Sequence, residues 1–196
     1  MENAARSERS RNAAIQAALT IIARDGPGRL TIDAIARESG ISKGGVLHQF
    51  RTKGAVLKAL LERQIEYFEK FREDYLARAA HDRTDANLRA QIATLREAAS
   101  TPHSVVFAIV GALAEEPDLL SVVRETDART VANIKAEASD PDLALVRWAA
   151  ARGLALMVIL GLCPLSGQER ERLFDRLLDA GSWPAPGRPG PGRKDG

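Results

Sequence analysis

Apolar residues recur every three or four positions along most of the chain, which is the spacing of one face of an α-helix. No stretch shows the alternation of apolar and polar residues that is typical of β-strands. We therefore predict an all-α fold of about nine helices. Two are short and lie within Thr31–Phe50; the other seven are expected over about 8–25, 53–79, 85–99, 102–114, 117–138, 141–162 and 167–180.

The segment Thr31–Phe50, TIDAIARESGISKGGVLHQF, contains two short helical patterns that meet at a single glycine. Thr31 can cap the first helix, Gly40 can end it, and Ser42 can cap the second. Two capped helices joined by a tight turn are typical of a helix-turn-helix, whose second helix enters the DNA major groove. The pattern therefore predicts double-stranded DNA as a partner.

The sequence of this region, ISKGGVLHQF-RTKGAVL, resembles the DNA-binding domain of TetR/AcrR-type bacterial repressors. In that family a helix reading Ser-Lys-Gly-Thr-Leu-Tyr-x-x-Phe precedes Ser/Pro-x-Lys-Glu-x-Leu, and the resemblance covers roughly Ser10 to Leu61. Gly45, Leu47 and Gly54 stand where the family usually has Thr, Tyr and Glu. Because the family's Thr and Tyr commonly touch DNA phosphates, these departures favour an alternative, a helical small-molecule-binding or scaffold protein with weakened or lost DNA binding.

Candidate DNA contacts lie at helix starts and on the outer side of the second short helix. Lys43 and Lys53 each begin a predicted helix, where free N–H groups and the helix dipole attract phosphate. His48 and Gln49 are candidates for base-edge contacts, and Leu47 either contacts a thymine methyl or packs. The full candidate set is Thr31, Ser42, Lys43, Gly44, Leu47, His48, Gln49, Thr52 and Lys53.

Charge and composition divide the chain into three parts. Residues 1–62 have ten Lys/Arg and six Asp/Glu, whereas residues 63–182 have fifteen and nineteen, so a basic end precedes an acidic body. A basic end suits contact with phosphates. We predict a DNA-binding domain over 1–52, a ligand-binding and dimerisation domain over 53–182 that the helix starting at residue 53 connects to it, and a Pro-rich disordered tail over 183–196.

Cysteine content and apolar run length indicate a cytoplasmic protein. Cys163 is the only cysteine, so the chain forms no internal disulfide, which fits a reducing compartment. The first residues, MENAARSERSRN, have no apolar core of a signal peptide. The longest apolar run, Gly153 to Cys163, is too short to span a bilayer, which needs about 20 residues.

The region near the C-terminus predicts a homodimer. The run Leu154–Leu162, LALMVILGL, is apolar on all sides, so a second cover besides its own core is expected. Its surroundings resemble the C-terminal dimerisation helices of one TetR-like subgroup, in which two subunits form a four-helix bundle. The alternative is a fully buried internal helix. The candidate interface residues are Trp148, Ala149, Gly153, Leu156, Leu160, Leu173 and Leu177.

The family resemblance implies a small-molecule effector held by the body of the protein. Several apolar side chains exceed what a thin helical layer needs for its own packing, and few ionisable residues interrupt them, so a largely apolar effector is expected. The alternative is that these residues are ordinary core. The candidate pocket residues, with Tyr75 and His103 as polar anchors, are Phe68, Phe71, Tyr75, His103, Val106, Phe107, Val110, Leu113 and Leu120.

No arrangement of residues in the sequence indicates catalysis. His48, His81 and His103 are far apart and lack metal-site spacing, and neither a Gly-rich phosphate loop nor a serine elbow is present. We expect no metal, no cofactor and no enzymatic activity. The sequence predicts a ligand-responsive transcriptional regulator, a repressor that binds a near-palindromic operator as a dimer.

Overall fold

The protein is described by a computed structural model that covers residues 2–78, 85–100 and 119–183. Over those residues it has eight α-helices and no strand, so the predicted all-α class is confirmed. The predicted helix over 102–114 and the predicted tail beyond Trp183 lie outside the described residues. The helices are α1 (Glu2–Asp25), α2 (Ile32–Ser39), α3 (Lys43–Gln49), α4 (Lys53–Arg78), α5 (Ala86–Ser100), α6 (Leu119–Glu137), α7 (Pro141–Ile159) and α8 (Gly167–Leu178).

The first three helices and the start of α4 share one apolar cluster, the N-terminal cluster. The two short helices each bury one apolar side chain completely, Ile35 from α2 and Val46 from α3. Phe50 closes the end of α3 against the same cluster. Helix α1 covers this core and begins at Glu2, six residues before the predicted start at residue 8.

Local sequence sets the angle between the two short helices. The Thr31 hydroxyl accepts the Ala34 N–H at 3.0 Å, and the Ser42 hydroxyl accepts the Gly45 N–H at 3.1 Å. Gly40 lies between them with φ of 70°, a left-handed conformation that glycine adopts without a steric cost. The caps and the glycine stop predicted from the sequence are thereby confirmed.

A second apolar cluster, the C-terminal cluster, holds α5 to α8 together. Its largest buried side chains include Leu88, Ile134, Leu154 and Phe174. Helix α8 begins with the predicted capping box: the Ser166 hydroxyl accepts the Glu169 N–H, and the Glu169 carboxylate accepts the Ser166 N–H at 2.8 Å. The hydrogen bonds from Ser166 hold the pKa of Glu169 below its usual value.

Helix α4 belongs to both clusters. Val56, Leu57, Leu60 and Leu61 are buried in the N-terminal cluster, and Phe68, further along the same helix, packs against the C-terminal cluster. One uninterrupted helix therefore contacts both clusters. None of the described helices combines the length and the apolar content needed to cross a membrane.

A buried arginine ties three helices together. The side chain of Arg147 on α7 is 3% exposed and donates to the Leu177 carbonyl oxygen of α8 at 2.7 and 3.1 Å. It also lies 3.4 Å from the Asp85 carboxylate, which precedes α5. The pKa of Arg147 is lowered below its usual value by burial, although the Asp85 carboxylate acts in the opposite direction. Because the guanidinium has both hydrogen-bond and ionic partners, its burial is compensated.

Candidate DNA-binding surface, ligand cavity and dimer surface

The outer side of α3 is an open surface. Lys43, Gly44, Leu47 and His48 are all exposed, and Leu47, at 39%, is one of the exposed large apolar side chains of the described residues. Lys43 Nζ lies 2.9 Å from Asp33 Oδ1, but both side chains are more than half exposed. Exposed pairs of this kind contribute little to stability, so a phosphate can compete with Asp33 for Lys43.

The remaining DNA-binding candidates have other positions. Thr31, Ser42 and Thr52 serve as helix caps, the last accepting the Ala55 N–H at 3.1 Å. Lys53 is half-buried at the start of α4. Their place beside the helix N-termini is as predicted.

Gln49 is directed toward α1 rather than the open surface. Its Nε2 donates to Ser7 Oγ at 2.9 Å, and its side chain is half-buried. A base contact from Gln49 would require this hydrogen bond to break. The sequence gives no sign of the Ser7 contact, because the two residues are 42 positions apart.

Two further side chains of α1 hold the short helices in place. The guanidinium of Arg11 lies 4.7 Å from the centre of the Phe50 ring, a cation–π contact at the end of α3. Arg24 Nη2 lies 3.0 Å from Glu38 on α2. Sequence reasoning missed both contacts, since neither pair lies within one helical turn.

A cavity of about 410 Å³ lies among α4, α5, α6 and α7. Its apolar walls include Phe68 of α4 and Trp148 of α7. The described lining residues are Ile65, Phe68, Glu69, Arg72, Asn87, Gln91, Thr94, Leu95, Thr126, Asp127, Arg129, Thr130, Asn133, Trp148, Arg152, Ala155, Leu156 and Ile159.

The cavity agrees only in part with the predicted pocket. Phe68 lines it, whereas Phe71 and Tyr75 are half-buried on α4 and are not among its lining residues. The expectation of few ionisable groups is wrong, because two acidic and three arginine side chains face the described part of the cavity. Three of these five charged side chains come from α6 and α7. The pattern of apolar residues in the sequence does not show that the polar faces of these two helices border the cavity. The other predicted residues lie outside the residues whose side chains are described, namely His103, Val106, Phe107, Val110, Leu113 and Leu120.

Polar contacts in the cavity join neighbouring helices. Arg152 Nη1 of α7 donates to Asp127 Oδ1 of α6 at 2.5 Å, and the same guanidinium lies 5.3 Å from the centre of the Trp148 ring. Gln91 Nε2 of α5 donates to Thr130 Oγ1 of α6 at 3.3 Å. Some of the contacts between the helices of the cavity wall are therefore made by polar side chains that a bound molecule could contact instead.

Helix α7 has an apolar stripe on the side opposite its core. Val146 is 57% exposed and Met157 39% exposed, with exposed Ala149, Ala150 and Gly153 between them. An apolar second side was predicted for this helix, and its exposure in the single chain rules out the alternative of a fully buried helix. On α8, Leu173 is 41% exposed.

Four predicted interface residues need separate description. Leu177 is buried in the C-terminal cluster and Trp148 lines the cavity, so neither belongs to the exposed stripe. Resemblance to dimerisation helices and helical spacing predict an interface region, but they do not tell which face meets the subunit's own core. Leu160 is half-buried, and Leu156, 40% exposed, lies where the stripe meets the cavity.

Metal coordination has no candidate among the described residues, where His, Cys, Asp and Glu nowhere form a group able to hold an ion. Cys163 is half-buried and not in a disulfide.

Comparison with known families matches both parts of the chain. Residues 14–60 match the family described as bacterial regulatory proteins, tetR family, and residues 85–181 match the tetracyclin repressor-like C-terminal domain. The chain belongs to the TetR family. It is therefore a helix-turn-helix transcriptional regulator with a ligand-binding C-terminal domain, and this family is regulatory rather than enzymatic.

Solved structures share the fold over most of the chain. SCO7518 from Streptomyces coelicolor A3(2) is 21% identical, with 86% of this chain and 96% of that chain covered and a TM-score of 0.65. The multidrug binding protein EbrR, complexed with imidazole, is 24% identical over 92% and 93% of the two chains, with a TM-score of 0.63. SCO1917, a TetR-family member from Streptomyces coelicolor A3, is 22% identical over 87% and 98%, with a TM-score of 0.62. No curated protein matches the chain.

The TetR-family recognition helix has an unusual glycine pair here, and the two glycines differ in their surroundings. A Cβ on Gly45 would lie 2.7 Å from Ile41 Cγ2, so the Thr that the family usually has would require the half-buried Ile41 side chain to shift. A Cβ on Gly44 would meet nothing within 4 Å. The contact with Ile41 therefore disfavours a side chain at Gly45, whereas Gly44 lies on the open surface, where the chain itself leaves space for one.

We expect Gly44→Ala to raise the free energy of unfolding by up to about 1 kcal/mol, because alanine favours the helix. The same change should weaken DNA binding, since the added methyl faces the DNA side. Gly45→Ala, the matched control, gains the same helix propensity but must displace the Ile41 side chain, so it should stabilise the protein less than Gly44→Ala. Denaturant titration and DNA binding by fluorescence anisotropy measure the two effects; a Gly44→Ala protein that is more stable and binds DNA as well as the wild type would show that α3 does not approach DNA closely at Gly44.

Proposed function

We propose that this TetR-family regulator is a repressor that binds a near-palindromic operator as a homodimer and releases it when a small molecule occupies the cavity. The observation that carries the proposal is the continuity of α4. The helix starts at Lys53 beside the DNA-binding surface, and its residue Phe68 lines the cavity. A molecule that displaces Phe68 therefore acts on the helix that supports the DNA-binding domain.

Phosphate and base contacts divide among the candidate residues by position. Lys43 and Lys53 lie at helix N-termini, where positive charge and free N–H groups favour phosphate. Leu47 and His48 lie on the open side of α3 and are the proposed base-contacting residues. The engagement of Gln49 with Ser7 makes it the weaker candidate for a base contact.

The effector is proposed to be a small molecule with an aromatic body. The cavity volume of about 410 Å³ lies in the range of small-molecule sites, and Phe68 and Trp148 offer ring contacts. The related fold of EbrR has been solved with ethidium and with malachite green, which are aromatic molecules. For release to occur, the effector must bind the DNA-free arrangement more tightly than the DNA-bound one. We place the regulator in the cytoplasm, where its operator lies.

DNA binding should depend steeply on salt, because lysine–phosphate contacts release counterions. With an operator selected from a random DNA pool, Lys43→Ala should weaken binding to all sequences. It should reduce the log–log salt slope by about two, because each subunit of the dimer loses one phosphate contact. His48→Ala should instead change the preferred sequence. Lys135→Ala, an exposed lysine at the end of α6, is the control and should change neither.

The alternative function, ligand binding without DNA recognition, is favoured by Gly45 and Leu47 at the family's Thr and Tyr positions. It predicts that selection from the random pool enriches no sequence and that Lys43→Ala and Lys135→Ala behave alike. An enriched near-palindrome, with half-sites one helical turn or a somewhat larger multiple apart, supports the repressor.

We propose that the dimer forms through the α7 stripe, with Leu173 of α8 beside it. Val146→Glu should give monomers without loss of folding, because Val146 is already 57% exposed in the subunit, whereas an unpaired charge in the interface is costly. Ala136→Glu, at an exposed position of α6, should remain dimeric. Sedimentation equilibrium distinguishes the two, and a monomeric wild-type protein at micromolar concentration would rule out this interface.

A further inference from the structure

Arg152 lies in the cavity as a planar cation with two partners. Its guanidinium is 5.3 Å from the centre of the Trp148 ring and 2.5 Å from the Asp127 carboxylate. All three residues line the cavity, and the side chains of Arg152 and Asp127 are about one-third exposed, at 31% and 34%. An aromatic face with a carboxylate beside it is the set of groups by which proteins hold organic cations.

The arginine can leave this position at little cost. Its side chain is long and already partly in contact with solvent, so turning outward exposes a charge that water readily hydrates. After this movement of Arg152, both the Asp127 carboxylate and the Trp148 ring would be available to a bound ligand. Glu69 and the Phe68 ring, on the α4 side of the same cavity, provide a second carboxylate and a second aromatic surface.

We propose that the effector of this regulator is a flat aromatic cation that takes the place of the Arg152 guanidinium over Trp148 and beside Asp127. The proposal rests on the proposed function in treating this cavity as the effector site. The contacts it uses belong to this chain's own residues, and the cavity already holds a planar cation in this position.

The net charge of the described cavity lining does not oppose a cation once Arg152 turns away. The described charged residues left in the lining are Glu69, Asp127, Arg72 and Arg129, which sum to zero. An anionic ligand bound to Arg152 would instead face the Asp127 carboxylate that lies 2.5 Å from that guanidinium, so like charges would meet.

Replacement of the Arg152 guanidinium by a cationic effector would also affect the position of the DNA-binding domain. The Arg152–Asp127 pair joins α7 to α6, and α6 carries Val122 and Val123, which are partly buried against the N-terminal cluster. When the effector takes Asp127 from Arg152, this tie between α6 and α7 is lost. The position of α6 against the N-terminal cluster then changes, which provides a second connection between cavity and DNA besides α4.

Binding is tested first without DNA. The sequence contains two tryptophans, Trp148 and Trp183, so Trp183→Phe leaves Trp148 as the only one, and quenching of its fluorescence reports occupancy of the cavity. Ethidium serves as the cationic probe and anilinonaphthalene sulfonate as the anionic probe. Asp127→Asn should weaken ethidium binding by about tenfold, the effect of losing roughly 1.4 kcal/mol. Arg152→Gln should strengthen ethidium binding severalfold, because it removes the internal competitor.

The direction of the Arg152→Gln effect decides between the two ligand classes. Weaker ethidium binding in Arg152→Gln, or tighter binding of the anion than of ethidium to the parent protein, would overturn the proposal. Glu125→Gln and Arg124→Gln, at exposed positions of α6 outside the cavity lining, are the matched controls and should leave both affinities unchanged. Circular dichroism and thermal melting establish that every variant is folded.

Operator binding provides the second readout. Asp127→Asn and Arg152→Gln both remove the Arg152–Asp127 ion pair between α6 and α7, so both should lower operator affinity in the absence of ligand. The two variants should nevertheless change ethidium affinity in opposite directions. Wild-type operator affinity in both variants would overturn the role of the pair in regulation. A parent protein that binds no DNA sequence would instead refute the proposed repressor function, and the fluorescence result on cation binding would be unaffected.

Discussion

Burial of one end of α4 in the N-terminal cluster is the interaction on which the rest of the structure depends. Val56, Leu57, Leu60 and Leu61 fill the space beneath α1 to α3, so the start of α4 cannot move independently of the DNA-binding surface. Burying four aliphatic side chains contributes several kcal/mol, at about 1.5–3 kcal/mol for each large one. The same helix continues without a break to Phe68, so under the proposed function a displacement of α4 at the cavity also displaces its start beside the DNA-binding surface.

In this protein apolar contacts stabilise the fold, whereas the surfaces proposed for DNA and ligand binding carry polar contacts. The two apolar clusters fix the architecture, whereas the surfaces proposed for function carry contacts that a partner can replace. Lys43 is held by an exposed Asp33, and Arg152 by a partly exposed Asp127. Exposed pairs are weak, so exchanging one partner for a phosphate or a ligand costs little. The buried Arg147, in contrast, holds α7 and α8 together and is unsuited to exchange.

The sequence allowed good prediction of what depends on neighbours along the chain. The capping by Thr31 and Ser42, the stop at Gly40 and the capping box at Ser166 follow from residue type and spacing within one turn. Contacts between distant segments were not predictable in this way. Trp148 and Leu177 are interface candidates from the family resemblance, but resemblance and helical spacing identify an apolar face without identifying what covers it. For the same reason the charged side of the cavity and the bond from Gln49 to Ser7 were missed.

If cavity and operator are coupled through one connected set of helices, each ligand must change the affinity of the other, which reciprocal affinity measurements can show. A small aromatic compound that raises the melting temperature is chosen, and its affinity is measured with and without saturating operator. Operator affinity is then measured with and without saturating compound. Linkage requires that both affinities fall by the same factor, typically about 5–150-fold for allosteric proteins. A compound that binds in the cavity with the same affinity in the presence and absence of operator would show that cavity and operator site are not coupled.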